Sequence, residues 1–197
     1  MNKWFKKIFN FKDESKEERL FRYKNMVEEL SKNNDGTIFG NFSIDMFEFI
    51  LGKMIFETNQ SLIIFIKSYD MYFDDVKLFM LKQLANKLKN VNGTIEIITF
   101  YEEDNENLKK LSEEYKEVVQ YYSFKINDLK NKQINNFLVS DFKKYILEDK
   151  VTTLFLRKGL NKENNFIHNE VCFNGVNKAN ELALFFYEYK KDLEKNK

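Results

Sequence analysis

The chain contains no proline, one cysteine, one histidine and six glycines, and each scarcity removes a class of function. A single cysteine, Cys172, cannot form an intramolecular disulfide, which fits a reducing cytoplasm. The lone histidine, His168, has Cys172 as its nearest nucleophilic partner. On a strand, residues four apart stand about 13 Å apart, far beyond hydrogen-bond reach, so no catalytic dyad is expected. One His and one Cys are also too few ligands for zinc. The glycines (36, 40, 52, 93, 159 and 175) form no GxG pair, so neither a dinucleotide fingerprint nor a phosphate-cradling loop is present, and no GxSxG elbow occurs. No metal or cofactor is expected.

Charge of one sign is missing as well. The 31 acids and 32 Lys and Arg residues nearly cancel, so no global field draws the protein to nucleic acid. No apolar run approaches the roughly 20 residues of a membrane span; the longest, 44–56, is broken by Asp45, Glu48 and Lys53. The N-terminus does not read as a secretory signal, because its lysines are interleaved with aromatics and no small-residue cleavage site follows. The lack of proline beside abundant Lys, Asn, Ile and Phe fits an AT-rich bacterial, plasmid or phage source, and with it a mobile-element or phage-conflict setting.

What is present begins with MNKWFKKIFNF. At 100° per residue, Trp4, Phe5, Ile8, Phe9 and Phe11 share one side of a helix and Lys3, Lys6, Lys7 and Asn10 the other. Such a helix suits an anionic membrane surface or an apolar groove on a partner. The same stripe could instead pack on its own domain or on a second copy. Ser15 with Glu18 has capping-box spacing, and Leu20, Tyr23, Met26, Val27 and Leu30 continue a second helix toward Asn33-Asn34-Asp35-Gly36. Residues 1–36 therefore read as a two-helix extension and 37–197 as one α/β domain.

Within that domain the pattern alternates. Helix is expected over 43–58, 74–89, 105–117 and 177–195. Strand is expected over 61–66, 94–100, 118–126 and 170–173. An antiparallel meander is expected from 136–141, 144–147 and 151–156. The run 61–66 is continuously apolar, as in a central strand covered on both faces. Asp74 and Asp75 read as a helix start, and Glu102-Glu103-Asp104 as a solvated turn. Together these predict a mixed sheet sandwiched by helices. The twenty-one phenylalanines imply a bulky core.

This order of elements, with Asn136-Phe137-Leu138-Val139-Ser140-Asp141 and the later Glu170-Val171-Cys172-Phe173-Asn174-Gly175, resembles one half of the phospholipase D-like fold over about residues 43–194. The family motif is His-x-Lys-x4-Asp, in which the histidine is the nucleophile and the lysine stabilises phosphate charge. The matching positions here are Ile134, Asn136 and Asp141. The resemblance therefore implies a degenerate motif, a pseudoenzyme, with Asp141 kept to receive hydrogen bonds in the turn toward Lys143. A candidate cleft lies beyond the strand ends at Tyr69, Asp70, Tyr101 and Glu102.

The reading is a non-catalytic binding or scaffold protein. It docks through residues 1–11 to a protein partner, to a second copy as a homodimer, or to the inner membrane surface from the cytoplasm. The alternative is nucleic-acid binding through Lys87, Lys89, Lys130, Lys132, Lys143 and Lys144, with Tyr69, Tyr72 and Tyr101 for stacking. An unrecognised phosphodiesterase is the remaining reading.

Overall fold

The computed structural model describes residues 15–41, 43–66, 73–100, 105–125, 135–148 and 169–195. Among them a seven-stranded mixed sheet is covered by five helices, as the α/β reading anticipated. The elements are α1 (Lys16–Lys32), β1 (Phe39–Asn41), α2 (Ile44–Glu57), β2 (Ser61–Ile66), α3 (Asp75–Lys89), β3 (Thr94–Phe100), α4 (Glu106–Glu114), β4 (Val119–Phe124), β5 (Phe137–Ser140), β6 (Lys144–Glu148), β7 (Asn169–Cys172) and α5 (Val176–Glu194). Strand order is β1-β7-β6-β5-β2-β3-β4. β2, β3 and β4 are parallel, joined by the helical crossovers α3 and α4. β5 lies antiparallel on the other side of β2, and β6, β7 and β1 follow antiparallel in turn.

Local chemistry sets the helix starts. The Ser15 and Glu18 capping box is formed, Ser43 accepts from the Met46 N–H, Asp74 from the Lys77 N–H, and Asn105 from the Asn107 and Leu108 N–H groups. The helix expected over 105–117 ends three residues sooner, because the Tyr115 carbonyl turns to accept from the N–H groups of both Val118 and Val119. The meander is corrected. β6 has β5 on one side and β7 on the other, so the third member is β7, and 151–156 lie outside the described residues. β1 was not anticipated; it has three residues, one of them Gly40, and exists through pairing with β7.

Two cores flank the sheet. One packs Leu62, Ile64, Ile95, Ile97, Leu138, Ile146 and Val171 against the helices α1 to α4, with Tyr23 and Val27 of α1 fully buried in it. The other lies under α5 and is aromatic. Phe65 stacks on Phe137 at 5.1 Å between ring centroids, and Tyr189 meets both Phe65 and Phe100 edge-on. A buried carboxylate, Glu96, pins α5 by accepting from the Tyr187 hydroxyl and the Lys190 ammonium, both at 2.8 Å.

Glu57 ties three elements together on the other face. It accepts from Ser31 of α1 and pairs with Lys53 and Lys144 at 2.8 Å each, while Lys53 also reaches Glu28 at 2.7 Å. Burial pushes the Glu57 carboxyl up, but the bonds from Lys144, Lys53 and Ser31 outweigh it and hold the group below its ordinary 4.5. A carboxyl depressed by folding stabilises the native state above its unfolded value, and that contribution is lost as pH falls through the folded value. Glu57→Gln is therefore expected to lower the unfolding free energy by about 1–3 kcal/mol at neutral pH. Urea titrations from pH 7 down to pH 3 should show that the loss shrinks below about pH 4.5.

Candidate functional site

The C-terminal ends of β2, β3 and β4, at Ile66, Phe100 and Phe124, point to one end of the sheet, where open α/β sheets place ligands. The antiparallel strands bring their own polar residues to that end. Asn136 immediately precedes β5, Glu148 closes β6, Asn169 opens β7 opposite Glu148, and Asn41 of β1 pairs in register with Asn169. Strand alternation puts Asn136, Glu148 and Asn169 on the face of Leu138, Ile146 and Val171, toward α1 to α4.

These three side chains are deeply buried, with 3%, 1% and 6% of their surface exposed. The Asn136 Nδ2 donates to Glu148 Oε2 at 2.9 Å, and the Glu148 N–H donates to the Asn136 carbonyl, also at 2.9 Å. Among the described residues, the amide nitrogen and oxygen of Asn169 are buried without a hydrogen-bond partner. Nearby on the same face, Thr99 meets the Tyr121 hydroxyl at 3.1 Å. Glu148 and Asn169 were not singled out from the sequence. The available signal was the alternation Ile146-x-Glu148, which places a carboxylate on the core face of a strand.

The motif positions do not converge. Asn136 precedes β5 and Asp141 follows it, about 17 Å away along an extended chain. Asp141 has a positive φ of 53°, and its carboxylate accepts from the N–H groups of Asn59, Gln60 and Ser61 at 2.8–3.1 Å. Those donors belong to the α2–β2 connection and the first residue of β2, and not to the expected turn toward Lys143, whose N–H goes to the Ser140 carbonyl. Beside this clamp the Thr58 and Ser140 hydroxyls meet at 2.9 Å.

The remaining candidates are distributed as follows. Lys3, Trp4, Phe5, Lys6, Lys7, Ile8, Phe9 and Phe11, the motif position Ile134, and the cleft residues Tyr69, Asp70, Tyr101 and Glu102 all lie outside the described residues, as do Tyr72, Lys130 and Lys132. Of the proposed nucleic-acid cations, Lys87 donates to the Thr58 carbonyl at 2.7 Å and Lys144 pairs with Glu57; Lys89 ends α3 and Lys143 lies in the β5–β6 turn. Among the described residues no group of three or more His, Cys, Asp and Glu is placed to hold a metal ion, and no helix is long and apolar enough to cross a membrane.

No family model and no curated protein matches this chain. Among solved structures, it is similar to the archaeal chromatin protein TrmBL2, described as showing a novel mode of DNA binding, with a TM-score of 0.53 and 14% identity over 91% of this chain and 63% of that one. A phosphatidylserine synthase of Haemophilus influenzae Rd KW20 aligns with a TM-score of 0.36 and 11% identity over 81% of this chain and 47% of the synthase. The chain thus spans less than two thirds of either protein's length, and the likeness to TrmBL2 is one of fold alone.

The buried polar trio makes a paired prediction. Asn136→Leu strips a donor from a buried carboxylate and should cost about 1–3 kcal/mol, whereas Asn169→Leu removes two unsatisfied polar atoms and should be neutral or stabilising. Urea unfolding of both variants checks the contrast.

Proposed function

We propose that this chain is a non-catalytic binding domain, a degenerate phospholipase D-like half recruited through residues 1–11 to an anionic membrane surface or to a partner protein. One observation carries the non-catalytic part. The position that the resemblance assigns to a phosphate-binding lysine is Asn136, and its amide is engaged with the buried carboxylate of Glu148. A phosphate brought there would meet a carboxyl group and an engaged amide where it needs a cation. Isoleucine at 134 supplies no lone pair for attack on phosphorus. The stripe of Trp4, Phe5, Ile8, Phe9 and Phe11 against Lys3, Lys6 and Lys7 supports the docking role, which places the protein at the cytoplasmic side of the membrane when lipid is the target.

Nucleic-acid binding is the second reading, favoured by the fold likeness to a DNA-binding chromatin protein. Against it, Lys87 and Lys144 are held by a backbone carbonyl and by Glu57.

Flotation with phosphatidylglycerol-containing vesicles tests the docking role. The full chain should float, residues 13–197 alone should not, and Lys3, Lys6 and Lys7 all changed to Ala should weaken partitioning by about a hundredfold. Equal flotation with and without residues 1–12 would overturn the reading. Duplex DNA binding that falls steeply with salt would favour the second one.

A further inference from the structure

Two exposed asparagines are each followed by glycine at the start of an element: Asn92-Gly93 leads into β3, and Asn174-Gly175 into α5. In an Asn-Gly pair the main chain readily attacks the side-chain amide, because glycine has no Cβ to obstruct the approach. The glycine nitrogen gives its proton to water and bonds to the asparagine Cγ, and ammonia leaves. Water then opens the resulting succinimide at either carbonyl, giving aspartate or isoaspartate. One water is taken up and one ammonia released, with nothing oxidised or reduced.

In the folded chain both nucleophiles are held. The Gly93 N–H donates to the Leu88 carbonyl at 2.9 Å, and the Gly175 N–H to the Lys143 carbonyl at 2.8 Å. Each bond must break before the nitrogen can lose its proton and turn toward Cγ. Neither glycine has room to turn. A Cβ on Gly93 would lie 2.5 Å from the Gln60 carbonyl oxygen, and one on Gly175 would strike the Tyr145 ring.

We propose that Asn92 and Asn174 are sites of spontaneous covalent modification gated by local opening, and that isoaspartate at 174 keeps α5 from reseating. The two gates are separate. Gly93 is released by fraying of the end of α3, where the Val91 N–H shares the Leu88 carbonyl. Gly175 is released only when α5 lifts. That helix has no side-chain cap, and its start is tied to the β5–β6 turn through the Gly175 N–H. Farther along, Glu96 holds it through Tyr187 and Lys190. Isoaspartate inserts a methylene into the main chain directly before Gly175, which carries the N–H off the Lys143 carbonyl. An opening of α5 over its aromatic core is thereby recorded irreversibly. Neither gate depends on the docking role proposed above.

Peptide mapping by mass spectrometry, after incubation of the full chain at mildly alkaline pH, follows both sites at once. Each should convert roughly tenfold or more slowly in buffer than in concentrated urea, with Asn92 ahead of Asn174 in buffer. Lys190→Met should speed conversion of Asn174 about tenfold and leave Asn92 unchanged, and Tyr187→Phe should act in the same direction by a smaller factor. Chains carrying isoaspartate at 174, separated by their added negative charge, should be cleaved by protease within α5 faster than unmodified chains. Equal rates in buffer and urea would overturn the proposal. So would equal acceleration at both sites in Lys190→Met, which would make global unfolding the gate. Unchanged protease resistance of the isoaspartate form would overturn the failure of α5 to reseat.

Discussion

The antiparallel junction of β2 and β5 is the constraint on which the rest of this molecule depends. On one side of it lies a parallel unit, β2-α3-β3-α4-β4; on the other, an antiparallel run, β5-β6-β7-β1. Strand pairing joins them from Leu62 opposite Ser140 to Phe65 opposite Phe137, and the stacked rings of that last pair anchor the core under α5. Asp141 locks the end of the junction. Three consecutive backbone N–H groups, of Asn59, Gln60 and Ser61, converge on its carboxylate at the rim of the sheet. Asp141 thus has a structural use that needs no substrate.

The same junction fixes what the opposite end of the sheet can do. Because β5 begins where β2 ends, Asn136 arrives at the ligand end of the parallel strands, and the registers of β6 and β7 bring Glu148 and Asn169 beside it. A buried carboxylate tied to an amide is stable only while its hydrogen bonds are kept. The fold therefore keeps the buried Glu148 side chain hydrogen-bonded to Asn136 at this end of the sheet. Under the function proposed above, the sheet serves as a scaffold and recognition falls to residues 1–11.

Much of the architecture was legible because it rests on local signals. The apolar run 61–66, the capping residues Ser15, Ser43, Asp74 and Asn105, and the three- and four-residue steps of the helices each act over a few neighbours. Features set by distant pairing were not legible. β1 owes its existence to β7, about 130 residues later, and β6 finds β7 and not the next segment of chain. Asp141 was anticipated as structural, but its donors sit some 80 residues earlier, so no local rule could name them. Glu148 was overlooked because a lone acid ending a strand ordinarily reads as solvated. Only the alternation with Ile146, combined with a sheet covered on both faces, reveals that it is buried.

The central claim is that the end of the sheet holding Asn136, Glu148 and Asn169 breaks no phosphodiester bonds. Its most direct measurement is the hydrolysis of bis(p-nitrophenyl) phosphate by rigorously purified full-length protein at high concentration. The account predicts a rate indistinguishable from buffer. Turnover that survives purification and disappears in the Asn136→Leu variant would contradict it.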